Sequence, residues 1–162
     1  MLEGEGVLYH SPSRGVMDLE QVFQDIINFI RTEPQAEHKL IIGTDSQARN
    51  EVTFVTAVVI HRLGKGARYY YHREVHRRLP SLRQRILLET SLSLGVASRL
   101  TEMLSRRGYQ GFDIEIHLDI GQNGDTRDLI REIVGMVTGS GFHARIKPDS
   151  FVASTVADKY TK

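Results

Sequence analysis

The residues best suited to chemistry in this sequence are acidic ones that stand next to predicted strands or on a core-facing helix. They are Asp45, Glu89, Asp119 and Asp149. Two carboxylates held close together repel each other, and one of them is then forced to take up a proton. A bound Mg²⁺ or Mn²⁺ removes that cost, because carboxylate oxygens suit hard cations. The first hypothesis is therefore a divalent-metal site.

Each acid also has an ordinary structural explanation when it is taken alone. Asp45 and Asp119 stand where turn residues are common, after predicted strands. Glu89 lies in a run of leucines on a helix, where it either points to solvent or needs a buried partner. Asp149 precedes Ser150 and is well placed to cap a final helix. It is the joint placement of the four acids that favours a metal site.

The elements that would position these acids follow from the hydrophobic pattern. Apolar residues at i, i+3, i+4 spacing predict helices, and β-branched or alternating runs predict strands. The predicted helices cover residues 17–31, about 79–107, 125–137, and about 150 to the end. The predicted strands cover residues 40–45, 53–62, 68–75, 112–119 and 142–146.

This order of elements predicts an α/β fold with a five-stranded mixed sheet flanked by helices, plus an extra N-terminal helix. The right-handed crossover rule places the fourth strand beside the first and gives the order 3-2-1-4-5. Asp45 and Asp119 then meet at the carboxyl ends of neighbouring parallel strands, where α/β sheets bind ligands. We expect an N-terminal arm over residues 1–16 and a single domain over residues 17–162.

Composition narrows the possible classes of protein. The chain has 162 residues, of which 40% are hydrophobic, and its formal net charge is +1. It has no cysteine, which excludes disulfides, thiolate metal sites and cysteine nucleophiles. The N-terminus does not resemble a signal peptide, and no apolar run reaches the ~20 residues that span a bilayer. We therefore expect a cytoplasmic protein.

Positive charge is concentrated between Arg68 and Arg85, where arginines alternate with tyrosines and histidines. Arginines beside aromatic rings suit contact with phosphates and stacking with bases. The alternative is a solvated edge strand, since charge on an edge strand prevents aggregation. As nucleic-acid-binding candidates we select Arg73, Arg77, Arg78, Lys147 and Lys159.

The sequence resembles the ribonuclease H-like superfamily, and most closely its YkuK-type family, over nearly the whole chain. The resemblance is carried by residues 41–47 (IIGTDSQ), 117–121 (HLDIG) and 147–159 (KPDSFVASTVADK). The last segment is also similar to the C-terminal signature of type 2 ribonucleases H, in which Asp-Ser is followed by an Ala-Ser-x-x-Ala-x-Lys helix.

The resemblance implies that Asp45 bridges two metal ions and that Glu89, Asp119 and Asp149 complete the ligand set. Many members carry the last acid within the final helix, where this chain offers Asp158 as an alternative to Asp149. The implied activity is two-metal hydrolysis of a phosphodiester in RNA, DNA or a hybrid. The substrate itself is not implied. The alternative function is a non-catalytic nucleic-acid-binding or assembly module, and the third, an actin-like ATPase, is set aside because it needs two such domains.

Overall fold

The computed structural model describes residues 7–77, 81–150, 156–157 and 159–161. Its strands are β1 (Tyr9–Ser11), β2 (Gly15–Met17), β3 (His38–Ala48), β4 (Val52–Arg62), β5 (Ala67–His76), β6 (Ile114–His117) and β7 (His143–Arg145). Its helices are α1 (Leu19–Thr32), α2 (Leu82–Arg106) and α3 (Ile130–Gly139), and a 3₁₀ turn at Arg127–Leu129 leads into α3. The described residues of the C-terminal segment, 156–157 and 159–161, are also helical.

The two long helices begin at side-chain caps that the sequence supplies. Asp18 accepts a hydrogen bond from the Gln21 backbone N–H, and the Gln21 side chain accepts one from the Asp18 N–H, so the first turn of α1 is closed from both sides. Ser81 caps α2 by accepting from the Gln84 N–H. The Ser81 cap fixes the start of α2 about two turns before Glu89.

The sheet is mixed, as the sequence predicts, and its strands lie in the order β2-β1-β5-β4-β3-β6-β7. β3, β4 and β5 form an antiparallel meander, whereas β6 is parallel to both β3 and β7. The prediction of five strands was wrong. Among the described residues the sheet has seven, and its full order differs from the predicted one because the hairpin β1–β2 adds two short strands beyond β5. That hairpin arises within and just after residues 1–16, for which the sequence predicts only an arm.

Strand β3 is longer than predicted and carries Asp45 in its interior instead of at its end. The extra length comes from the hairpin with β4, whose pairing runs as far as Ala48 opposite Val52. Strand β6 is shorter than predicted and pairs with β3 only up to His117 opposite Gly43. On its β6 side, β3 therefore runs past the end of its parallel neighbour. This opens a crevice at the carboxyl edge of the sheet.

The two faces of the sheet are covered by different parts of the chain. Side chains such as Leu40, Ile42 and Ile116 join the main core beneath α1, α2 and α3. On the opposite face, small apolar clusters form around Ile41 and Val55, and Val156 packs against both. The C-terminal helical residues thus cover the second face. Among the described helices, none has a stretch both long and apolar enough to cross a membrane.

Candidate acidic site at the carboxyl edge of the sheet

Asp45 and Asp119 lie on neighbouring parallel segments. The parallel register ends with Gly43 of β3 opposite His117 of β6, so Asp45 and Asp119 each follow the last paired residue of neighbouring strands by two positions. The segment after β6 keeps its course, because the Leu118 N–H donates to the Arg145 carbonyl at 2.9 Å. Asp45 and Asp119 are both half-buried. The predicted adjacency of the two strands is therefore present in the structure, whereas the shared role of the two acids stays a prediction.

Glu89 reaches the same edge from α2 and is held there by β3. It is only 9% exposed, and its Oε2 accepts a 2.5 Å hydrogen bond from the Ser46 hydroxyl. Arg85, one helical turn earlier, donates to the Ser46 Oγ from Nε at 3.2 Å and from Nη2 at 3.1 Å. The same Nη2 donates to the Ser46 carbonyl at 3.1 Å. Ser46 thus links Glu89 of α2 to strand β3, and the guanidinium of Arg85 holds Ser46 in place.

The protonation of Glu89 reports on the other two acids. Its pKa is raised from 4.5 to about 8, first because burial penalises the charged carboxylate. Repulsion from Asp45 and Asp119 raises it further, whereas the Ser46 hydrogen bond and the Arg85 charge oppose the shift. Asp45 and Asp119 are therefore close enough to Glu89 to act on its charge.

Lys147 brings a positive charge to this acidic group. Its Nζ lies 2.8 Å from Asp119 Oδ1, and this bond, more than any other cause, raises the pKa of Lys147. Asp45 and Glu89 raise the pKa further, against a smaller cost of burial. The lysine stem packs on Gly121, where a Cβ would stand 3.0 Å from the Lys147 Cβ. A glycine at position 121 therefore permits the approach.

The acids approach the edge from both sides of the sheet. Successive residues of a strand point to opposite faces, so Asp45 and Ser46 point apart. Glu89, bound to Ser46, therefore comes from the α2 face, and Asp45 from the face covered by the C-terminal residues. A cavity of only about 10 Å³ separates Glu89 from Asp119. Among the described residues, no three acidic or histidine side chains form a group that could hold a metal ion.

The chemistry of the donor set, though not its present arrangement, suits a hard divalent cation. All three acids offer carboxylate oxygens, the ligands that such cations prefer. Lys147 and the Ser46 hydroxyl now make the contacts that a cation would compete for. Holding an ion would require Glu89 to lose its proton and Asp119 to loosen its bond to Lys147.

The fourth predicted acid follows the last strand of the sheet. Asp149 is exposed in the turn after β7, where its backbone N–H donates to the Ile146 carbonyl at 2.8 Å. Ser150, next to it, is buried. The alternative acid, Asp158, lies outside the described residues. The choice between the two stays a prediction.

The predicted nucleic-acid-binding residues have mixed locations. Arg73 donates to the Tyr160 carbonyl from Nε at 3.1 Å and from Nη2 at 2.5 Å. Tyr71 stacks on Tyr160 with 3.7 Å between ring centroids, so this part of β5 anchors the C-terminal helical residues. Lys159 is exposed, and its ammonium lies 5.6 Å from the Tyr160 ring centre. Arg78 lies outside the described residues.

Several cations nevertheless share the edge that carries the acids. Because β5 and β3 are both antiparallel to β4, their carboxyl ends lie on the same side of the sheet. Basic residues follow β3, β5, β6 and β7 there, and another stands in the first turns of α2. They are Arg49, Arg77, Arg127, Lys147 and Arg85.

Sequence reasoning missed Ser46, Arg85 and Gly121. Ser46 and Gly121 lie in the segments that carry the family resemblance, and Arg85 stands four residues before Glu89, but none of these signals assigned them a role.

The sequence profile of the ribonuclease H-like family matches residues 21–162. The chain belongs to this family. It is also 37% identical to the uncharacterized protein YkuK of Bacillus subtilis (strain 168), in an alignment that covers 98% of this chain and 99% of that protein. No solved structure matches the chain. The predicted YkuK-type, ribonuclease H-like assignment is confirmed.

Proposed function

We propose that this ribonuclease H-like chain is a divalent-metal-dependent nuclease that hydrolyses phosphodiester bonds of RNA, DNA or a hybrid. The observation that carries the proposal is the convergence of three acids at the carboxyl edge, where Asp45 and Asp119 follow the paired parts of neighbouring strands and Glu89 is held against β3 by Ser46. Structural acids are normally kept apart or paired with bases, because uncompensated neighbouring carboxylates are costly. We therefore interpret the convergence of three carboxylates as a site for a positively charged ligand.

In this proposal Asp45, Glu89 and Asp119 hold Mg²⁺ or Mn²⁺, with Asp149 as the fourth ligand. The chemistry that two such ions supply is the activation of a water molecule and the stabilisation of the leaving oxygen. The protein contributes position and charge and no covalent nucleophile, which agrees with the absence of cysteine from the sequence.

The surrounding side chains have defined tasks in such a reaction. Ser46 and Arg85 hold the Glu89 carboxylate against β3, so that it does not turn away into the helix interface. Lys147, 2.8 Å from Asp119, would place its ammonium next to a phosphate oxygen bound at the acids. The other cations of the carboxyl edge would retain the phosphate backbone on either side of the scissile bond.

A non-catalytic nucleic-acid-binding or assembly module is the second candidate, and one observation favours it. The described residues contain no group of three ligands already arranged for an ion. With a pKa of about 8, Glu89 is moreover largely protonated at neutral pH until an ion displaces its proton. If no ion binds, the same cationic edge could still bind nucleic acid without cutting it.

The test is cleavage of labelled single-stranded RNA, single-stranded DNA, an RNA–DNA hybrid and branched DNA, with Mg²⁺ or Mn²⁺. The control is Asp45→Asn protein purified in the same way. Cleavage by the native chain that is lost in the folded variant supports the nuclease. Tight binding of any substrate without cleavage supports the module, and equal cleavage by both proteins would exclude the acidic site.

A further inference from the structure

A polar groove lies beside the acidic site, at the tip of the hairpin that joins β3 to β4. Its volume is about 450 Å³. It is lined by Gln47, Arg49, Asn50, Glu51, Thr53 and Thr161. The acids do not line it, and Glu89 and Asp119 line a separate, much smaller cavity. Nothing in the proposed hydrolysis uses this groove.

The groove lies on the same face of the sheet as Asp45. Gln47 follows Asp45 by two residues in β3, so both side chains point the same way, and their Cα atoms are ~6.6 Å apart at the usual rise of a strand. Thr53 is paired with Gln47 in the β4 register. Thr161 reaches the groove from the C-terminal helical residues that cover this face. A strand bound at Asp45 would therefore place its neighbouring nucleotide in the groove.

The lining offers hydrogen bonds of the kind that read bases. Gln47 and Asn50 carry side-chain amides, and Thr53 and Thr161 carry hydroxyls. Within the described part of the chain, the Gln47 Oε1 atom is buried and has no hydrogen-bond partner. Buried polar atoms are normally paired, so this acceptor can take a donor brought by a ligand. An amide pairs well with a base edge, because it presents a donor and an acceptor side by side.

Stacking is not the basis of this recognition. None of the described residues lining the groove is aromatic. The tyrosines that the sequence suggested for stacking are engaged elsewhere, Tyr71 against the Tyr160 ring and Tyr69 through a 2.8 Å bond to the Tyr160 hydroxyl. A site that relies on stacking tolerates every base, whereas a site that relies on hydrogen bonds distinguishes them.

We infer that this groove binds the unpaired base of the nucleotide next to the scissile phosphate, and that Gln47 and Asn50 select its identity. The inference rests on the proposed function and adds a substrate class, a single strand with a base preference at one position. In a duplex the Watson–Crick edge of each base is hydrogen-bonded to the partner base. An unpaired base exposes that edge to protein side chains. Arg49 at the rim would contact the following phosphate, and Glu51 suits an amino group of the base.

The test uses the full-length native chain and its Gln47→Ala and Asn50→Ala variants. Affinity is measured by fluorescence anisotropy, in EDTA, for four single-stranded RNA oligomers and four DNA oligomers that differ at one central position. Asn28→Ala is the matched control, because it removes an exposed asparagine of α1 away from this edge. Cleavage of the same oligomers with Mn²⁺, by the native chain and by Asp45→Asn, is recorded separately.

We expect one base to bind about 5- to 160-fold more tightly than the least favoured one, the range of a good amide–base pair. Gln47→Ala or Asn50→Ala should reduce that ratio towards one, and Asn28→Ala should not. Equal affinity for all bases, or a preference that both folded groove variants retain, overturns the inference. Asn50 is exposed at the hairpin tip, so its variant keeps the test decisive if Gln47→Ala fails to fold. The cleavage result bears on the nuclease alone, so the two ideas fail separately.

Discussion

Replacing Glu89 by glutamine should remove a large part of the loss of stability that alkaline pH causes in the metal-free protein. The pKa of Glu89 in the folded protein is about 8, above the ordinary value of 4.5. Between pH 4.5 and pH 8, Glu89 therefore takes up a proton when the protein folds. A group of this kind stabilises the fold fully below pH 4.5, and the stabilisation is lost as pH rises through 8. The native chain should therefore become less stable with rising pH, and Glu89→Gln, which cannot ionise, should lack that contribution.

The magnitude follows from the two pKa values and the burial of the side chain. At about 1.36 kcal/mol per pKa unit, the whole difference corresponds to ~5 kcal/mol, of which ~4 kcal/mol falls between pH 5 and pH 9. Glu89 is 9% exposed, so solvent screens little of this effect. The amide keeps an oxygen that can accept the hydrogen bond of Ser46. Glu89→Gln should therefore be more stable than the native chain at pH 9.

The assay is urea denaturation at several pH values between 5 and 9, in EDTA so that no cation offsets the acidic charge. Glu102→Gln, which alters an exposed carboxylate of α2, should keep the native pH dependence. Added Mg²⁺ at pH 8 should stabilise the native chain more than Glu89→Gln. Parallel free-energy curves for the native and Glu89→Gln proteins would refute the reasoning, because they would show that Glu89 titrates alike in the folded and unfolded states.

Three further predictions test other parts of the structure. Gly121→Val should lower the free energy of unfolding by about 1–3 kcal/mol in urea denaturation and weaken any cleavage, because a Cβ at position 121 would stand 3.0 Å from the Lys147 stem and displace it. A variant as stable as the native chain would contradict this packing. Tyr71→Ala should speed proteolysis near Tyr160, because it removes a stack worth about 0.5–1.5 kcal/mol beyond the buried area, and an unchanged digestion pattern would argue against that anchor. Burial lowers the pKa of His72 below 6.5, so the stability it contributes is present above pH 6.5 and lost as pH falls; His72→Gln should flatten the stability curve between pH 7 and 5, and an unaltered slope would count against it.

The parts of the fold that the sequence predicts are those in which local pattern and burial agree. α1 has an apolar stripe and a capping box, and it forms with nearly the predicted bounds. The ends of β3 and β6 were predicted less well, because their lengths depend on pairing partners. Asp45 looked like a strand end, but the β4 hairpin carries β3 on to Ala48. The edge hairpin β1–β2 was also missed, because strands of three residues are too short to show an alternating pattern in the sequence.

The candidate site was predicted only as far as strand order could take it. The placement of Asp45 and Asp119 after paired parts of neighbouring parallel strands follows from topology, and the crossover rule predicts that neighbourhood from the order of elements. The role of Ser46 could not be predicted, because its contact with Glu89 depends on the distance between α2 and β3. The contacts of Arg73 and Tyr71 were equally hidden, since their partner, Tyr160, is 87 or more residues away in the chain.

The arrangement of charges explains how one edge can be stable without an ion and still suited to binding one. Three carboxylates at full charge would oppose folding, but Glu89 takes up a proton, Asp119 pairs with Lys147, and Arg85 lies behind Ser46. Each of these compensations is reversible. A divalent cation would supply the same positive charge more directly, release the proton of Glu89 and free Lys147 to contact a phosphate. Ion binding should therefore release protons near neutral pH, and this coupling would separate a true metal centre from a merely structural acidic cluster.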